Sequence, residues 1–329
     1  MRHYIWTPQL GEKQAVTDLG RQFQRLVRQV NANGIESKRR YIQSMQLFLR
    51  WAATARGLQK IGNISNKHLR SFVEHRKAEG ISDGTIINDL SAIRFYHGFI
   101  PAKERRYELV RNPLDSARLN REFGLLARKD GRSDRAWEID EIQSMQEKAV
   151  QLGQKEIAMA IEAGWTMGLR INEMASLTCY QAQEALTSGN LMIRGKGGKH
   201  RALELRDVPL STNARQCLQE ALERTKPGKK YLFSPDGKGQ VEKFKKKIKN
   251  FIANHRSSIQ LADRAKSGHN LSEGEKGALT YHGLRHTFAR MQIHHQERQG
   301  LHHKDARGKT SRDLGHGRIS VTSIYTAGE

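Results

Sequence analysis

The chain has 329 residues, 57 Lys and Arg against 34 Asp and Glu, and a net charge of +23. A pI near 10.2 at this length points to a polyanionic partner, most simply nucleic acid. Mean hydropathy is −0.72, and no apolar run reaches the roughly 18 residues of a membrane span. No apolar stretch follows Met1-Arg2-His3-Tyr4, so neither a membrane helix nor a signal peptide is expected. Cys179 and Cys217 lack metal-ligand spacing and are expected as reduced thiols in the cytoplasm.

The first hundred residues read as helices. Val16, Leu19, Phe23, Leu26, Val27 and Val30 recur at three- and four-residue spacing and form one apolar stripe. Tyr41, Met45, Phe48, Leu49 and Ala52 repeat the pattern. Ser65 reads as the N-cap of a helix carrying Leu69, Phe72 and Val73. Ser82 does the same before Ile86, Leu90 and Ile93. Four such helices with short connections predict a small bundle. Its outer faces are expected to carry Arg21, Arg25, Arg28, Lys38, Arg39, Arg40 and Arg94, a cationic surface suited to DNA. Pro101 ends the last helix. The charge-rich stretch to Arg135, with Asn112-Pro113 and Asp130-Gly131 as turn signals, reads as a linker.

Beyond it, Ile139, Ile142, Met145 and Ala149 predict a helix, and Ile157 to Thr166 a buried one. Leu191 to Arg194 and Ala202 to Leu205 predict short strands about the turn Gly195-Lys196-Gly197-Gly198-Lys199. Asp207-Val208-Pro209-Leu210 is expected to extend that sheet. Lys243, Lys245, Lys246, Lys247 and Lys249 form a basic run. The whole reads as a mainly α chain with a small β-sheet, an α+β organisation.

Certain side chains suit chemistry on a phosphodiester. Its pentavalent transition state concentrates negative charge on non-bridging oxygens, which fixed cationic donors stabilise. Arginine stays charged and donates two parallel hydrogen bonds. Arg170 follows an apolar helical stretch, and Glu173 three residues on is placed to hold it. His282 and Arg285 share a helix face, and His286 crowds the same turn. Three cationic donors so close are costly to bury without an anion. Tyr325 offers a hydroxyl nucleophile, with His316 nine residues before it. A leaving alkoxide needs a proton, for which Lys196 on the glycine turn is placed, with Lys199 competing.

The order Gly168-Leu169-Arg170, His282-Gly283-Leu284-Arg285, Leu314-Gly315-His316 and then Tyr325 resembles the tyrosine recombinase (phage integrase) family. The resemblance is firm from about residue 136 to the end. It is looser upstream, where Leu90 to Tyr96 and Asn112-Pro113 carry it. It implies an N-terminal helical core-type DNA-binding domain over 1–110, a linker over 111–135 and a mixed catalytic domain over 136–329. It implies a site-specific recombinase that cuts and rejoins DNA through a 3′-phosphotyrosyl intermediate at Tyr325, without cofactor, metal or ATP. Arg170, His282, Arg285 and His316 would surround the scissile phosphate, Lys196 would be the general acid, and Glu173 would support Arg170. The implied partner is double-stranded DNA, bound by a homo-tetramer on two sites with accessory DNA-bending proteins, away from membranes. Residues 254–280 depart from the pattern as a polar insertion, and 294–312 are unusually rich in His and Arg.

Competing readings are a type IB topoisomerase-like nickase, a DNA-binding protein whose site has decayed, and a metal site at His294, His295, His302 and His303. Retention of every polar position speaks against decay. No carboxylate or cysteine pattern accompanies the histidines.

Overall fold

A computed structural model describes residues 6, 11, 13–30, 35–126, 133–194, 200–204, 209–264 and 275–315. The chain divides into two compact units, Met1–Lys129 and Asp130–Glu329.

The first unit is helical. Its elements are α1 (Gln14–Gln29), α2 (Ile35–Arg56), α3 (Asn66–Ala78), α4 (Asp83–His97) and α5 (Pro113–Glu122). The apolar stripe of α1 is buried at Val16, Leu19, Phe23 and Leu26. It meets Met45, Phe48 and Leu49 of α2 and Leu90, Ile93 and Tyr96 of α4 in one core. Aromatic edges lock it: Phe23 stands on Tyr96 at 4.9 Å and Phe48 on Phe72 at 5.2 Å, both near perpendicular. Ser65 opens α3, its N–H donating to His68 Nδ1 at 3.2 Å. Ser82 opens α4.

Two expectations change here. The stretch read as a linker contains α5, started by Pro113 behind an Asn112 side chain that accepts from the Leu114 N–H at 2.8 Å. Phe123 and Leu125 anchor it in the first core. Two apolar residues in a charged stretch leave no periodic signal. The second change is Arg94, expected on the outer face: only 4% of it is exposed, because α5 covers that side of α4. Arg21, Arg25, Arg28, Arg39 and Arg40 are exposed as anticipated, while Lys38 is half-buried and donates to Val30 O at 3.1 Å.

The second unit holds α6 (Ile139–Gln151), α7 (Lys155–Thr166), α8 (Ile171–Ala175), α9 (Cys179–Ser188), β1 (Asn190–Arg194), β2 (His200–Glu204), α10 (Pro209–Glu223), α11 (Gln240–Ile259), α12 (Tyr281–Arg298) and α13 (His303–Asp313). α7 and α12 pack together at its centre, with α6 and α10 against α7. Ile157, Ile161, Leu284, Phe288 and Leu218 are fully buried there. β1 and β2 pair antiparallel, Leu191 opposite Leu203, and Leu191, Ile193 and Leu203 turn into the core. The expected sheet extension at Pro209-Leu210 is instead the start of α10, because proline is pre-organised for a helix's first turn. Cys217 is buried and Cys179 half-buried, and neither is disulfide-bonded. Among the described residues no helix is long and apolar enough to cross a membrane.

The polar insertion is fastened from within. Arg264 and Glu141 have fully buried side chains and pair through both arms of the guanidinium, at 2.6 and 2.7 Å. The remaining donors reach Gly277 O at 3.1 Å and Ala136 O. Asp134 N–H donates to Glu275 O at 3.0 Å and Gly277 N–H to Asp134 O at 2.7 Å. Arg290 adds a 2.7 Å ion pair to Asp134. The stretch 275–279 thereby lies against both the entry segment and Arg264, and runs straight into α12.

Candidate active site

The left-handed turn after α7 fixes the first arginine. Gly168 has φ +59°, and a Cβ there would stand 2.5 Å from Phe288 Cδ1, so glycine is required on both grounds. The turn delivers Arg170 to the N-cap of α8. Its N–H donates to Glu173 Oε2 at 2.9 Å, and its guanidinium to Oε1 at 2.7 Å.

Arg285 comes from α12, whose first turns are buried on nearly every side. Its side chain is wholly buried, with one nitrogen 3.8 Å from Glu173 Oε2. It also donates to Gly168 O and to Leu314 O. One buried carboxylate therefore orients two guanidinium groups from separate elements. The bond to Leu314 O also ties Arg285 to the end of α13.

His282 is exposed at the mouth of this cluster. Its ring stands edge-on to that of His286, with centroids 5.2 Å apart. The protein packed around it pushes its pKa down to about 4, with Arg285, Arg135 and Arg170 adding repulsion. Burial, then the neighbouring charges, hold His286 well below the usual histidine range. Both rings are thus neutral at pH 7 in the free protein. Since His282 is disfavoured as a cation in the folded state, its contribution to stability is complete above about pH 6.5 and fades as pH falls towards 4. In an NMR titration of the free protein its midpoint is expected well below 6.5, moving upward when a phosphate occupies the site. A midpoint at or above 6.5 without DNA would show that the guanidinium groups do not act on it.

Beside Arg170 and His282 opens a cavity of about 550 Å³. Lys249 and Arg256 of α11 line it, and Ile252 and Leu279 form its apolar floor. Four groups able to carry positive charge face it, and no carboxylate does. Lys245 Nζ donates to Asn172 Oδ1 at 2.7 Å and joins α11 to α8. The cavity suits a polyanion backbone at its rim.

Of the expected site residues, the fold brings together Arg170, Glu173, His282 and Arg285. Lys196, Lys199, His316 and Tyr325 lie outside the described residues. Arg135, Lys249 and Arg256 escaped the sequence reading as site neighbours. Lys249 belonged to a recognised basic run, but nothing marked which of its lysines turns towards Arg170. Among the described residues no cluster of three or more His, Cys, Asp or Glu could hold a metal. His294 and His303 instead face Glu297, at 3.5 and 2.6 Å.

Residues 136–329 match the phage integrase family, and residues 22–104 match the phage integrase N-terminal SAM-like domain. The chain belongs to the phage integrase family. A tyrosine recombinase XerC of Xanthomonas axonopodis pv. citri is 25% identical over 305 residues, covering 91% of this chain and 87% of that one. XerC of Chlamydia trachomatis serovar D is 32% identical over 166 residues, 50% of this chain and 44% of that one. Among solved structures, a lambda integrase (75–356) dimer bound to a COC′ core site superposes with a TM-score of 0.61 at 16% identity, covering 93% of this chain and 94% of that one. XerH recombinase on a palindromic difH substrate gives 0.58 at 18%, covering 93% and 80%. These two likenesses show the fold.

Proposed function

We propose that the chain is a site-specific DNA recombinase that cuts and rejoins double-stranded DNA through a 3′-phosphotyrosyl intermediate. The observation that carries the reading is Glu173 holding Arg170 and Arg285 beside His282 at a cationic cavity free of carboxylates. Two fixed guanidinium groups meet the non-bridging oxygens of a phosphodiester as charge builds on them. Tyr325 Oη attacks phosphorus, and the bond to the 5′-oxygen breaks. His282, neutral in the free protein, and His316 are the groups to accept the tyrosine proton. Lys196 protonates the departing 5′-oxygen. The energy of the phosphodiester is kept in the phosphotyrosyl bond, so a 5′-hydroxyl of another strand can reverse the step without ATP. The tyrosine recombinase names of the relatives and the DNA-bound state of the solved neighbours support this reading. The domain plan of 1–110, 111–135 and 136–329 remains part of it, as do a homo-tetramer on two DNA sites and accessory DNA-bending proteins. The lambda integrase tetramer bound to a Holliday junction favours the tetramer.

The test is covalent capture. Incubated with DNA carrying its site, the protein is expected to form an SDS-resistant adduct in which peptide mass spectrometry places the nucleotide on Tyr325, with or without EDTA. An adduct on another residue would overturn the nucleophile. Strict dependence on a divalent ion would point to a metal-dependent nuclease. Relaxation of any supercoiled plasmid, with no preferred site, would favour a topoisomerase.

A further inference from the structure

The first unit holds a buried cation that the chemistry above leaves unused. Arg94 of α4 is 4% exposed. One terminal nitrogen donates to Asn120 Oδ1 at 2.9 Å, and Nε has no hydrogen-bond partner among the described residues. Burial lowers its pKa to about 10, which leaves it charged at neutral pH. Among the described residues no carboxylate pairs with it. A charged group buried without a counter-ion is costly, and the natural remedy is an anion brought from outside.

There is room for one. Arg94 lines a cavity of about 630 Å³, also bounded by Arg111, Ile87, Phe95, Phe99 and Asn120. No carboxylate lines it. Arg111 is exposed and bends back towards Gly98 O at 3.4 Å, so it can swing onto a ligand. Phe99 is 47% exposed and stands 5.0 Å from Phe95, ring to ring. The chemistry is two-part: guanidinium groups that fit phosphate oxygens, and an aromatic wall that fits a sugar or base. An apolar peptide would leave Arg94 unsatisfied, and a bare inorganic anion would leave the aromatic wall uncovered.

We propose that this cavity is a nucleotide seat, with a phosphate on Arg94 and Arg111 and the attached sugar or base against Phe95 and Phe99. As a seat for a nucleotide of the bound DNA strand, it rests on the recombinase reading. As a seat for a free nucleotide, it does not.

The test uses the full chain and a duplex of about 30 base pairs, with affinity measured across a salt series. Removing one phosphate contact, in Arg94→Gln or Arg111→Gln, is expected to lower the slope of log K on log salt by about one. Phe99→Ala is expected to weaken binding about fivefold or more with the slope unchanged. Arg111 and Phe99 are exposed, so those variants stay informative even where Arg94→Gln fails to fold. The second arm adds thymidine monophosphate and follows thermal unfolding. A rise in melting temperature in the wild type but not in Arg111→Gln, with duplex binding unaltered, assigns the seat to a free nucleotide. The proposal is overturned if folded Arg111→Gln and Phe99→Ala match the wild type in slope, affinity and response to the mononucleotide. A chain that binds no duplex at all sinks the recombinase reading, while the mononucleotide arm still reads the seat.

Discussion

Arg285→Ala is expected to slow DNA cleavage by about 10²–10³-fold, the usual loss for one donor to a developing oxyanion, while DNA affinity falls by less than about tenfold. Binding is driven by bulk charge, and this guanidinium is one of 57 basic side chains. It is also wholly buried, so it adds little to long-range attraction. Its value lies in direction: Gly168 O, Leu314 O and Glu173 fix it on three sides. Arg285→Lys should recover little, because a point charge cannot copy a fork held that way. Glu173→Gln should act in the same sense, since it loosens both arginines at once. Single-turnover cleavage under saturating protein, set beside equilibrium binding, separates the two effects. Equal losses in both would place Arg285 in the general electrostatic footprint.

The second large effect concerns stability. Arg264→Met should destabilise the second unit by about 3–5 kcal/mol, the range for breaking a buried ion pair and stranding its partner. Glu141 would keep a buried charge with only the Leu261 and Glu138 N–H groups to satisfy it. Ala136 O and Gly277 O would each lose a donor. In a unit of this size such a change lowers the melting temperature by roughly 10 °C. Glu141→Gln combined with Arg264→Met should cost less than the two single changes added, because no lone charge remains. Denaturant titration of the full chain, following the second unit's transition, gives the answer. A loss under about 1 kcal/mol would mean that water reaches the pair and relieves it.

How much of this was legible in the sequence differs by element. The helices of the first unit announced themselves because their apolar residues repeat on one stripe, Val16 to Leu26 being the clearest case. Ser65 and Ser82 marked helix starts through local chemistry alone. α5 did not, because only Phe123 and Leu125 anchor it and both lie after the helix. Arg94 was misplaced for a related reason: whether an arginine is covered depends on a segment many residues away. In the site, Arg170–Glu173 was readable as a three-residue spacing. That Glu173 also serves Arg285, more than a hundred positions on, is tertiary information. The Arg264–Glu141 pair was hidden likewise: a polar insertion reads as solvated until its buried anchor is seen.

The interleaving of residues 134–137 with 275–280 has a consequence for how the unit opens. Asp134 and Gly277 exchange backbone hydrogen bonds, Trp137 N–H and C=O both engage the Thr287 hydroxyl, and a Cβ on Gly283 would meet Arg135 O at 2.3 Å. Neither strip can be lifted without exposing the other, so local unfolding there is all-or-none, a single cooperative block. His282 sits at the edge of that block. Whatever loosens the point where the chain enters its second unit therefore also unseats a histidine that stands far from it in sequence.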